Sequence, residues 1–231
     1  LFGRGESAKA AGLAKAFGAR GILVHGANPA RAAWLMDRLK DSGCDILALT
    51  CPKEPDLDLL MASVAAARDH RPDWVLSLGG GAVIDLGKAV AALVPGAGDP
   101  LKHLEVVGQG LPLDAVPLPF IAMPTTSGTG AEATKNAVIG LPEHGRKVSL
   151  RDERMLPRIA IVDPALTDNA PWALTLASGL DAVTQVIEPY VSCKATLFTD
   201  AISRAAISLG LQAIATLRVE ENPAARDAMA W

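Results

Sequence analysis

Residues 178–190, SGLDAVTQVIEPY, place a carboxylate, Asp181, four residues before an amide, Gln185, in a segment of helical composition. On a helix that spacing stacks the two side chains on one face. Beside Val183, Val186 and Ile187 the pair has two readings. Either Asp181 is the charged donor of a ligand site, or it caps or pairs within a helical core.

Two other stretches carry chemistry-bearing residues. SLGGGAVIDLGK, 77–88, reads as a strand running into glycines and then a helix. Glycines there let the backbone approach a phosphate, and the first N–H groups of the helix are donors for it. The dinucleotide fingerprint GxGxxG matches at Gly79 and Gly81 but meets Ile84 at the third glycine. The P-loop pattern matches at Gly87 and Lys88 but has Ala82 and Ala89 at its first glycine and its hydroxyl. A strand–helix turn without a ligand accounts for one glycine rather than three, so phosphate binding is the expectation. MPTTSGTGAEAT, 123–134, follows a buried strand with hydroxyls and two glycines, a composition that wraps a polar ligand with O–H and N–H donors.

These stretches need elements to position them. Short apolar runs alternate with helical patterns: GILVHG, DILALT, DWVLSLGGG, PFIAMP and RIAIVD read as strands. The helical segments include ESAKAAGLAKAFGA, PARAAWLMDRLKDSG, DLDLLMASVAAARDH and AVIDLGKAVAALV. Uniformly apolar strands separated by helices predict a mostly parallel sheet covered on both faces. In such a sheet ligands sit at the carboxyl ends of the strands, where both glycine-rich segments fall. TKNAVIGL and RKVSL read as a hairpin, and 96–118 as a long connection. Beyond Asp163 only helical patterns follow. The expected organisation is a nucleotide-binding α/β domain over 1–165 and the start of an all-α domain, only partly present, over 166–231.

With 231 residues, 50% of them hydrophobic, the chain buries a substantial core. A net charge of −3 gives no electrostatic footprint for nucleic acid. No apolar run has the length of a membrane span. Cys44, Cys51 and Cys193 form no CxxC pair, and the expectation is thiols in a reducing, cytoplasmic setting. The chain opens without Met and stops within the helical pattern ARDAMAW, as expected for a sequence cut at both ends.

GGGAVIDLGKA, PTTSGTGAEAT, IVDPALT, and SGLDAVTQVIEPYVS followed by TDAI resemble, in order and spacing, the motifs of the iron-containing (group III) alcohol dehydrogenases. These are relatives of dehydroquinate synthase and glycerol dehydrogenase. The resemblance runs from about residue 20 to 215 and implies an active site between the two domains. It implies an NAD(P)-dependent oxidoreductase acting on a small alcohol or aldehyde, assembled as a homodimer or larger. By the same resemblance the pyrophosphate turn falls on Gly80, Gly81, Ala82 and Val83, with Asp85 in that motif. Thr125, Thr126 and Thr134 fall on cofactor contacts, and Lys147 on a cofactor-binding lysine. Ala82 stands where the family has serine.

The resemblance also makes Asp181 the first ligand of a divalent metal, iron or zinc. The second ligand, a histidine in the family, is Gln185 here, and two further histidines are implied beyond Trp231. A neutral amide oxygen is a weak donor for such ions, so the departure lowers the expected affinity. Many NAD-specific members carry an acid at the end of the first strand, where this chain has Gly26. With no carboxylate to repel a 2′-phosphate, and Arg31 nearby, tolerance of NADP(H) is expected. Three other functions are open. They are a metal-independent keto-acid reductase of the maleylacetate type, a lyase like dehydroquinate synthase, and a non-catalytic nucleotide-binding protein.

Overall fold

Apolar runs bounded by glycine become β1 (Arg20–Gly26), β2 (Asp45–Cys51), β3 (Trp74–Gly79) and β4 (Phe120–Pro124). Later come a hairpin, β5 (Asn136–Leu141) and β6 (Arg146–Arg151), and a two-residue β7 (Ile159–Ala160). The computed structural model describes residues 1–231 as two compact units. One comprises Leu1, Glu6–Pro124 and Ala131–Ile161; the other comprises Phe2–Gly5, Thr125–Gly130 and Val162–Trp231.

The first unit is built on a parallel five-stranded sheet in the order β2-β1-β3-β4-β7. Every residue of β3 and β4 is buried, as expected of central strands with both faces covered. The connecting helices are α1 (Ala10–Lys15), α2 (Ala33–Asp41), α3 (Leu57–His70) and α4 (Gly81–Leu93). Helix α3 starts at Asp56, whose carboxylate accepts the Leu59 N–H at 3.0 Å, and stops at Arg71 in the left-handed conformation. Helix α4 is buried over most of its length. Because β3 follows β2 but pairs on the far side of β1, the order reverses between β1 and β3. That reversal opens a crevice at the carboxyl ends of the two strands, marked by Gly26 and Gly79.

β5 and β6 pair antiparallel from Asn136↔Arg151 to Leu141↔Arg146, the hairpin expected there. The expected strand RIAIVD is shorter: pairing with β4 covers Ile159 and Ala160, Ile161 adds one N–H bond to the Ala122 carbonyl, and Val162 bridges to Phe2 instead. The connection 96–118 contains a 3-10 turn, Pro100–His103, capped by Asp99.

The second unit is helical: α5 (Trp172–Val191), α6 (Leu197–Val219) and α7 (Pro223–Ala230). Helices α5 and α6 pack closely through glycines. A Cβ on Gly179 would lie 3.0 Å from Ile214, and one on Gly210 would lie 3.0 Å from Val183. Thr196 and Thr199 form a capping box on α6, and Asn222 with Pro223 starts α7. Arg4 reaches Asp168 and Asp227, fastening Phe2–Gly5 to this unit. No helix is long and apolar enough to cross a membrane.

Candidate functional site

At the crevice, β3 ends and α4 begins within three glycines. Gly80 caps the helix with φ −75° and ψ −175°, an extended conformation open to any residue, and no side chain caps the helix. The N–H groups of Val83 and Ile84 both donate to the Gly80 carbonyl, at 3.0 and 3.1 Å. Those of Gly81 and Ala82 have no acceptor in the chain. Two unsatisfied, half-buried N–H groups at the positive end of a thirteen-residue helix are donors of the kind an anion accepts from. Gly79 answers to packing instead, since a Cβ there would lie 2.5 Å from Val83 Cγ2. One glycine of the three is thus structural. Beneath the turn, Cys51 Sγ donates to the Lys53 carbonyl at 3.1 Å, and burial pushes its pKa up to about 12. It is a structural thiol.

One turn along α4 lies a buried charge cluster. Lys88, 1% exposed, donates from Nζ to the Ala131 carbonyl at 2.7 Å, the Thr134 hydroxyl at 2.9 Å and the Thr134 carbonyl at 3.1 Å. Nζ is also 3.8 Å from Asp85 Oδ1. Lys88 stood in two of the quoted motifs with no role. Its spacing of three from Asp85 was the available signal, and its three acceptors show that it pins Thr134 to α4. Asp85 faces β5, where Oδ2 accepts the Val138 N–H at 3.1 Å. Burial lowers the Lys88 pKa and raises that of Glu132.

Burial also pushes Asp85 up to about 6 from its ordinary 3.8, with the Val138 N–H and Lys88 opposing. A carboxyl raised on folding holds its proton longer in the native state. Its contribution is therefore fully present below pH 3.8 and lost as pH rises through about 6. Asp85→Asn should flatten that fall, by up to about 3 kcal/mol, in denaturant titrations across the window. A variant with the wild-type slope would contradict this.

Lys147, on β6 opposite Gly140, is exposed and ion-paired with Glu54. The first unit thus holds Gly80, Gly81, Ala82, Val83, Asp85, Thr134 and Lys147, whereas Thr125 and Thr126 belong to the second. There they line a small cavity with Thr167, Thr175, Ser178 and Arg226. Arg226, 5% exposed, donates to Thr175 Oγ1 at 2.8 Å and pairs with Glu221 at 2.7 Å, a buried anchor with no separate signal in the sequence. In the same unit the Gln185 amide nitrogen lies 2.9 Å from Asp181 Oδ2, so the expected stacking on α5 is present.

The model of the family described as iron-containing alcohol dehydrogenase matches residues 1–164. The chain belongs to that family. The probable alcohol dehydrogenase EutG of Escherichia coli (strain K12) is 36% identical over 206 residues, 89% of this chain and 51% of the relative. Long-chain-alcohol dehydrogenase 1 of Geobacillus thermodenitrificans (strain NG80-2) is 41% identical over 156 residues, 68% of this chain and 39% of its own. Among solved structures, NADH-dependent butanol dehydrogenase A of Thermotoga maritima superposes with a TM-score of 0.89 at 26% identity. That match covers 100% of this chain and 59% of the other. Sulfoacetaldehyde reductase of Bifidobacterium kashiwanohense, in complex with NAD+, gives a TM-score of 0.90 at 27% identity, over 99% and 61% of the two chains. The chain spans about half the length of EutG.

The residues present can be tested against the two groups the family implies. A dinucleotide fits: the open glycine turn supplies two bare N–H groups at a helix start for the pyrophosphate. The two residues at the family's metal position fit a metal ion poorly, because the second is Gln185, whose neutral amide oxygen is a weak donor. The one carboxylate at the family's position already receives an N–H from Gln185.

Proposed function

We propose that the chain forms part of an NAD(P)-dependent oxidoreductase that interconverts a small alcohol and its aldehyde or ketone. The observation that carries the reading is the bare helix start at Gly81 and Ala82, set at the reversal of a doubly wound sheet. In this reading Gly80, Gly81, Ala82 and Val83 receive the pyrophosphate through the backbone. Lys88 holds Thr134 in place to contact the dinucleotide, with Asp85 as the neighbouring charge. Thr125 and Thr126 offer hydroxyls, and Lys147 exchanges Glu54 for a cofactor oxygen. When bound, the dinucleotide supplies the hydride acceptor or donor for the substrate carbon. The relatives named as alcohol dehydrogenases support an alcohol or aldehyde over a keto acid or a cyclisation substrate. A cytoplasmic location and a homodimer or larger assembly belong to the same proposal.

The test is nicotinamide absorbance over a panel of small alcohols and aldehydes with both cofactors. Turnover on at least one alcohol–aldehyde pair is expected; activity on keto acids alone would overturn the reading.

Cofactor choice turns on Gly26, at the end of β1. A Cβ there has Val83 Cγ2 as its nearest neighbour, at 4.0 Å, so an aspartate fits without displacing the turn. The wild type should bind NADPH at least comparably with NADH. Gly26→Asp should shift preference toward NADH by roughly tenfold through repulsion of the 2′-phosphate. Paired Kd measurements check this, and a wild type favouring NADH by about a hundredfold would contradict it.

A further inference from the structure

The pair on α5 is closed by a third partner. Gln185 Nε2 donates to Asp181 Oδ2 at 2.9 Å and to the Gly128 carbonyl at 3.2 Å. A primary amide has two N–H donors, and both are used. Both neighbours are acceptors only, so the network fixes which end of the amide faces them. Gly128 is held there by packing. A Cβ on it would lie 2.6 Å from the Ser178 carbonyl and 2.8 Å from Ser178 Cβ, so the loop runs directly against α5. Gly130, at φ +60°, brings the loop back past the other end of the amide, where a Cβ would lie 3.9 Å from Gln185 Oε1.

We infer that Gln185 takes the place of a metal ion in this chain: its amide latches Asp181 to the Thr125–Gly130 loop, and the site excludes divalent cations. To become a ligand, Gln185 would have to present Oε1 toward the carboxylate. That flip turns the NH2 group away from two acceptors and gives up both hydrogen bonds. The oxygen offered in return is a neutral, weak donor. On α5 what remains for a cation is one carboxylate, whose Oδ2 already accepts an N–H from Gln185. A carboxylate bridged to the loop carbonyl by N–H groups ties helix and loop together. Gln185 is therefore a positioning residue for the hydroxyl loop.

The test uses the whole purified protein and needs no turnover, so it stands apart from the proposed activity. Zinc and ferrous iron are titrated separately into wild type, Asp181→Ala, Gln185→His and the Asp181→Ala/Gln185→His double variant, and hydrogen exchange of 125–130 is followed. Wild type should hold no stoichiometric metal and titrate like Asp181→Ala. Gln185→His should gain roughly tenfold or more in affinity, lost again in the double variant. Gln185→Leu should speed exchange in the loop, while a chelator leaves wild-type exchange unchanged. The inference is overturned by stoichiometric metal in wild type that Asp181→Ala removes. It is equally overturned by loop protection that responds to chelator or ignores Gln185→Leu.

Discussion

Gly81→Val is expected to weaken NAD(P)H binding by about 2 kcal/mol or more, roughly thirtyfold, while the protein stays folded. Gly81 is the first residue of α4, and its N–H and that of Ala82 are the two without acceptors. A valine there sets a branched side chain where a phosphate must meet the backbone. The helix itself tolerates the change, because an N-terminal residue has no preceding turn to crowd and its N–H bonds nothing in the chain. Isothermal titration with NADPH, beside a melting curve, separates the two effects. Wild-type affinity in the folded variant would remove the turn from the binding site.

Lys88→Met is expected to destabilise the protein by about 3 kcal/mol, the cost of leaving a buried ionic partner and hydrogen-bond acceptors unmatched. Methionine keeps the length and apolar stem but removes three bonds, to Ala131 and twice to Thr134, and the charge beside Asp85. A loss of that size lowers Tm by roughly 6–12 °C in a chain of this length. Cofactor affinity should fall as well, because Thr134 is released from α4. Urea titrations at neutral pH provide the check. A loss under about 1 kcal/mol would show that the buried ammonium contributes little beyond its own desolvation.

The sheet was legible because its central strands are apolar without interruption and end on glycines, as in DWVLSLGGG and GILVHG. The hairpin was legible from two short strand-like runs separated by a Pro- and Gly-containing turn. RIAIVD misled because Ile161 and Val162 are as apolar as their neighbours. Only three-dimensional pairing, with Phe2 taking up Val162, shows where the ladder to β4 stops. The glycine turn could be read as a phosphate site, yet the separate duty of Gly79 against Val83 is a packing fact. For Lys88 the spacing of three from Asp85 is a local signal, but its burial against Thr134 is a packing fact. The Gln185 contact to Gly128 joins residues 57 apart, beyond any local pattern.

Whether the start of α4 holds a nicotinamide dinucleotide is tested most directly by a calorimetric titration of the purified protein with NADPH and then NADH. Saturable binding of both is expected, with NADPH at least as tight. No saturable binding of either dinucleotide would contradict it.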